Sequence, residues 1–222
     1  MNLDKPNIAD SSKQPILPHE ISVVLFDLGN VLVDLGDKTE LNEMLGAAGD
    51  EAEIWLRWLQ SPLVKAFDTG KIFFQTFAQS MLDEVPLTGD VDAFKQRFSA
   101  WPKGLFDGAL TLVRSVKPAY HRAILSNTNA AHWPRLMQEM GLAGEFQSYF
   151  ASHQMGVAKP DKAIYLSVIE QLSVAPQAIL FIDDNQINVD AALACGMQAH
   201  RVKGVDQARA VLAQYDVLAS LS

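Results

Sequence analysis

The sequence predicts a three-layer α/β fold: a Rossmann-like parallel sheet between helices, with a helical cap inserted after the first strand. Three observations predict it. Val23, Val24, Leu25 and Phe26 form a continuous apolar run that ends in Asp27 and a glycine–asparagine turn. Such a run suits a strand buried on both faces of a parallel sheet. From residue 102 onward, short β runs alternate with helical patterns, as parallel strands joined by right-handed crossovers do. Between these two regions, residues 37–101 carry helical patterns and no second apolar β run. The expected division is a lead-in over 1–20, a core built from 21–36 and 102–222, and a cap over 37–101.

In chain order, residues 1–20 are rich in Pro, Asp and Ser and have neither a basic start nor an apolar centre. They read as a flexible lead-in and not as a secretory signal. The first strand follows and presents Asp27 at its carboxyl end, where open α/β sheets bind ligands. The alternative is that Asp27 only caps a turn. Helical stretches are expected over 39–45, 51–59, 72–82 and 91–100, with breaks at 46–50, 61–62, 69–70 and 86–89. The aromatic residues Trp55, Trp58, Phe67, Phe73, Phe74 and Phe77 are expected for the most part to form the cap's own core. Trp101 and Pro102 mark the return to the sheet. Helices are then expected over 108–116, 134–140, 162–172, 187–195 and 206–214. Strands are expected over 122–125, 149–152, 178–182 and 198–202.

The 222 residues are 49% hydrophobic and 20% charged, a soluble globular composition. The formal net charge of −8 argues against a nucleic-acid partner, which calls for a basic stripe. It also means that an anionic ligand needs a local cation, from a metal or a placed lysine. No apolar run reaches the ~18 residues of a membrane span. A single cysteine, Cys195, fits a reducing compartment, and its apolar setting makes packing its expected role. Cytoplasm is the expected location, and the oligomeric state stays open.

Three predicted strands end in polar clusters: Asp27, Ser126 with Asn127, and Asp183 with Asp184. The fold brings such strand ends to one edge. A hard cation such as Mg²⁺ takes one or two carboxylates plus water and phosphate oxygens, which Asp27 and Asp184 can supply. A carboxylate can also attack phosphorus to form an aspartyl-phosphate. The charge that develops needs a cation and N–H or O–H donors, roles open to Lys159 and Ser126.

The segments FDLGNVL, LSNTN, AKPDKAIY and FIDDNQINV occur in that order. On these four motifs the sequence resembles the haloacid dehalogenase (HAD) superfamily, subfamily IA type, over residues 21–217. It is nearest to the phosphatases of the α-D-glucose-1-phosphate type. The segment FDTGKI resembles the substrate-facing part of their cap. The resemblance implies that Asp27 is nucleophile and metal ligand, with the Gly29 carbonyl and Asp184 completing a Mg²⁺ site. It implies that Ser126 and the Asn127 amide bind the phosphoryl group of a small phosphorylated metabolite, and that Lys159 stabilises its charge and orients Asp27. Asp183 and Asn188 become partners behind the metal ligands, although Asp183 also reads as a helix N-cap. Asp68 and Lys71 in the cap, and His132 near the second motif, are substrate-side candidates. Their plainer readings are solvated charges and a packed ring.

One position departs from the family. Most of its phosphatases carry a second Asp two residues after the nucleophile as general acid and base, and this chain has Gly29. General acid catalysis is typically worth ~10²–10⁴-fold. The proton donor then has to be a cap residue, Asp34 or metal-bound water, unless the leaving group is undemanding. Two rivals remain. In a metal-independent 2-haloacid dehalogenase the same Asp attacks carbon, but the Asp183–Asp184 pair would repel an anionic acid. A catalytically weak phosphometabolite-binding protein is motivated by Gly29.

Overall fold

The structure is a computed structural model that describes residues 20–36, 57–58, 60–84 and 90–219. The helix expected over 39–45, most of that over 51–59, Trp55 and nearly all of the lead-in lie outside the described residues.

Strand β1 (Val23–Phe26) is buried at all four positions. It lies at the centre of a five-stranded sheet of order β5-β4-β1-β6-β7. The other strands are β4 (His121–Ser126), β5 (Ser148–Ala151), β6 (Ile179–Asp183) and β7 (Gln198–Arg201). All pairings in this sheet are parallel. Because Cβ directions alternate along a strand, the buried run divides between two cores. Val24 and Phe26 join Ile124, Leu180 and Ile182 beneath α4 (Ala109–Ser115) and α8 (Gly204–Gln214). Val23 and Leu25 join Ala123, Leu125 and Phe181 beneath α6 (Lys162–Leu172) and α7 (Gln186–Ala194). These are the expected three layers, and each strand falls close to its expected position.

Between β2 (Val33–Asp34) and β3 (Gly104–Leu105) the chain makes a helical insertion. Its described helices are α1 (Pro62–Asp68), α2 (Phe74–Glu84) and α3 (Val91–Ser99). Trp58, Phe67, Phe77, Phe94, Phe98 and Trp101 give it a separate core, with Phe67 stacked on Phe77 at 4.4 Å.

Five features differ from expectation. The expected break at Ser61-Pro62 is present, with Ser61 extended between helical residues 57, 58 and 60 and the next helix, but α1 itself, which starts there, was not expected. The Ser61 hydroxyl accepts from the Val64 N–H at 3.3 Å, and proline suits the first helical position, where no N–H is needed. Phe73, expected in the core, is 85% exposed. β2 and β3 pair antiparallel, Val33 opposite Leu105. Two-residue strands are too short to carry a periodic signal, yet this pair ties together the two ends of the insertion. The segment expected as a helix over 134–140 is a π-helical turn at Arg135–Glu139. A short helix α5 (Ser152–Met155) also follows β5 directly.

Candidate active site

The carboxyl edge of the sheet collects the predicted polar residues. β1 runs into Asp27, whose N–H continues the ladder to the Ile182 carbonyl at 2.9 Å. β6, the neighbour on one side, ends at Asp183; β4, on the other, ends at Ser126. Asp27, Ser126, Lys159 and Asp183 are all buried.

Lys159 is the centre of this arrangement. Its ammonium donates to Asp27 Oδ1 at 2.7 Å, to Asp183 Oδ2 at 2.6 Å and to the Leu125 carbonyl at 2.9 Å. An ammonium has three donors, so all are committed. The main chain that carries Lys159 is itself held by Asn127. The Asn127 carboxamide donates to the Lys159 carbonyl and accepts from the Lys159 N–H, both at 2.8 Å. The carboxamide is therefore engaged in positioning Lys159, and the Asn127 main-chain N–H makes no backbone hydrogen bond among the described residues.

Asp183 is fully buried and saturated: Lys159, the Asn188 carboxamide and the Asn185 N–H all donate to it. The helix N-cap is Asn185, which accepts from the Ile187 N–H, and not Asp183. Asp184 is more open. Its Oδ2 accepts from the Asn30 carboxamide at 3.0 Å. Asn30 is a residue that sequence reasoning missed. Its φ of 55° is left-handed, a conformation that a short polar side chain tolerates. The asparagine of the Gly-Asn turn was the available signal.

Carboxylate oxygens of Asp27, Asp183 and Asp184 lie within 4.8 Å of one another. Three acids thus face one lysine. Burial pushes the Asp27 carboxyl up to about 7; Lys159 opposes this, and Asp183 and Asp184 add to it. Burial also raises Asp184, against the hydrogen bond from Asn30. Burial alone would lower Lys159, but Asp183 and Asp27 outweigh it and raise its pKa. Among the described residues no hydrogen bond reaches the second oxygen of Asp27, that of Asp184, or the Gly29 carbonyl. Three hard oxygen donors and surplus negative charge fit a divalent cation such as Mg²⁺.

The remaining candidates divide. Asp68 ends α1 and meets the loop after β4: its Oδ1 accepts from the Asn129 carboxamide at 3.0 Å. His132 is buried and stacked on Phe98 at 4.5 Å, with Nε2 2.8 Å from the Phe98 carbonyl and Nδ1 3.4 Å from Asn129. Both ring nitrogens are occupied, so the plainer reading of a packed ring holds. Burial pushes it down to about 4. Lys71 is exposed on the turn after α1 and makes no side-chain contact with the acidic cluster among the described residues. Asp34 accepts from the Gly36 N–H at 2.8 Å and caps its own turn.

A family model described as haloacid dehalogenase-like hydrolase matches residues 21–196. The chain is 24% identical over 189 residues to a D-ribitol-5-phosphate phosphatase of Bacteroides thetaiotaomicron, covering 80% of this chain and 90% of that protein. It is 24% identical over 133 residues to a phosphorylated carbohydrates phosphatase of Thermotoga maritima, covering 56% and 61%. Among solved structures, a HAD family enzyme of B. thetaiotaomicron in complex with magnesium and inorganic phosphate aligns with a TM-score of 0.69 at 22% identity, covering 82% of this chain and 94% of that one. The L-2-haloacid dehalogenase of Xanthobacter autotrophicus aligns at 0.60 and 23% identity, covering 91% and 84%.

Proposed function

The chain belongs to the haloacid dehalogenase-like hydrolases, and on that footing we propose that it is a Mg²⁺-dependent phosphatase of a small phosphorylated carbohydrate. The observation that carries the reading is the cluster of three carboxylates in which one buried lysine pairs directly with only two, Asp27 and Asp183. A bound cation offsets the excess charge of such a site, and a bare carboxylate substrate would add to the repulsion. That disfavours haloacid dehalogenation, despite the similar fold of the dehalogenase.

Asp27, Asp184 and the Gly29 carbonyl are the residues that would hold Mg²⁺. Asp183, with both oxygens occupied, orients Lys159 instead. The bound cation supplies positive charge beside the transferring phosphoryl group. Lys159 holds Asp27 in place and adds a second positive charge. The Ser126 hydroxyl and the Asn127 main-chain N–H supply donors to the phosphoryl oxygens. Asp27 attacks phosphorus, the bond to the leaving alcohol breaks, and water then hydrolyses the aspartyl-phosphate. The helical insertion acts as a cap that excludes bulk water and selects the leaving group.

The substrate class follows the two curated relatives, whose names specify a polyol phosphate and phosphorylated carbohydrates. Glucose 1-phosphate, expected from the motifs, stays a candidate beside ribitol 5-phosphate. The test is phosphate release from a panel of sugar and polyol phosphates, with Mg²⁺ or with EDTA. The expected result is metal-dependent turnover that Asp27→Asn abolishes. Halide release from 2-chloropropionate in EDTA would overturn it in favour of the dehalogenase. Phosphate binding without turnover would favour a binding protein.

A further inference from the structure

Expelling an alkoxide from a phosphate ester requires a proton at the leaving oxygen, and hydrolysing the acyl phosphate requires a base for water. Gly29 has no side chain to serve. Lys159 has all three N–H groups committed, to Asp27, Asp183 and the Leu125 carbonyl. Asp183 is saturated by its donors. Both nitrogens of His132 are occupied. Asp34 caps the Gly36 turn. His153 buries its Nδ1 inside the protein, beside the Thr128 backbone.

Asp68 differs from each of these. One carboxylate oxygen is anchored by Asn129 at 3.0 Å, and the other makes no hydrogen bond among the described residues. The residue is half-buried. Its backbone is fastened to the same sheet edge as Asp27, because the Asp68 carbonyl accepts from the Ser152 hydroxyl at 2.6 Å just beyond β5. Two residues on, Gly70 lies so close to the core that a Cβ would sit 2.2 Å from the His153 carbonyl oxygen. Asn129 is three residues from Ser126, within about 11 Å along the chain. Asp68 is thus a carboxyl group that the insertion lowers onto the loop after β4, with one oxygen free.

We propose that Asp68 is the general acid and base of this enzyme. The proposal rests on the phosphatase reading above. In the first step an Asp27 oxygen bonds to phosphorus as the bond to the leaving oxygen breaks, and the Asp68 proton passes to that oxygen. In the second, water bonds to phosphorus, the Asp27–phosphorus bond breaks, and the Asp68 carboxylate takes the water proton. Both carboxyl groups then return to their starting forms. Burial pushes Asp68 up to about 6, against the Asn129 hydrogen bond, so both protonation states are accessible near neutrality. The titratable groups on the packed elements are His132 and His153, both lowered by burial, and Lys65 and Lys71 on its own segment. No charged side chain pairs with the Asp68 carboxylate among the described residues.

The experiment compares kcat/KM for D-ribitol 5-phosphate and 4-nitrophenyl phosphate, which report events up to leaving-group departure. Nitrophenolate leaves without a proton; the alkoxide does not. Asp68→Asn is expected to shift the ratio of the two values ~10²–10⁴-fold toward the nitrophenyl ester. A second measurement needs no variant: in the wild type the same ratio shifts toward the nitrophenyl ester as pH rises through about 6. Parallel loss on both substrates with parallel pH profiles would overturn the assignment. A wild type that releases phosphate from no ester of the sugar and polyol panel would instead overturn the phosphatase reading.

Discussion

Lys159 illustrates how much one residue organises. It compensates two buried carboxylates directly, and removing one partner of a buried ion pair typically costs about 3–5 kcal/mol, because the other charge is left stranded. Lys159→Met is expected to lose stability of that order in EDTA, measured by denaturant unfolding, together with its turnover. Asn30 acts more locally, by holding one oxygen of Asp184. Groups behind a metal ligand typically contribute 10–100-fold in affinity. Asn30→Gly preserves the left-handed backbone, which glycine adopts readily. It is therefore expected to fold normally and to bind Mg²⁺ roughly 10–100-fold more weakly by calorimetric titration. That Asp27 and Lys159 belong to the polar cluster was legible from their motifs. The roles of Asn30 and Asn127 were not, because each is defined by a partner distant in the chain: Asp184 for one, the Lys159 backbone for the other.

At the scale of elements, strands and helices of the core were readable because a buried parallel strand is a continuous apolar run and its crossover helix has its own period. The linkers were not. β2 and β3 are set by pairing with one another and are reinforced by the Trp101 indole, which donates to the Leu35 carbonyl at 3.0 Å. The insertion docks on the core through Asp68, Gly70 and His132, none of which has a sequence signature for docking. Gly70 combines a φ of 67° with its close approach to His153. A side chain there is strained in both respects. Gly70→Ala is expected to undock α1 from α5, seen as faster proteolysis between residues 60 and 84 and as lost turnover, with the sheet intact.

For the whole molecule, two groups at the junction of insertion and core oppose one another in acid. His132 is held near 4 by burial, below its ordinary 6.5. The unfolded chain binds the extra proton in this window, so stability is lost as pH falls from 6.5 to 4. A shift of this size corresponds to about 3 kcal/mol. Asp68 has the opposite sign. Its raised pKa means that burial of the charged form costs stability above about 6, and that the cost is relieved as pH falls toward 3.8. His132→Gln is therefore expected to flatten the decline of Tm between pH 6.5 and 4, and Asp68→Asn to steepen it. Thermal melts across that range check both signs.

The sequence by itself determined the layered α/β core, the three polar clusters at its strand ends, the lysine segment between β5 and α6, and the family they belong to, because these are written in local apolar runs and contiguous motifs. Only the tertiary structure decided that Asn127 serves Lys159, that Asn30 serves Asp184 and that Asp68 meets Asn129. Hydrogen bonds between residues far apart in the chain depend on side-chain direction and close approach, and neither has a period in the sequence.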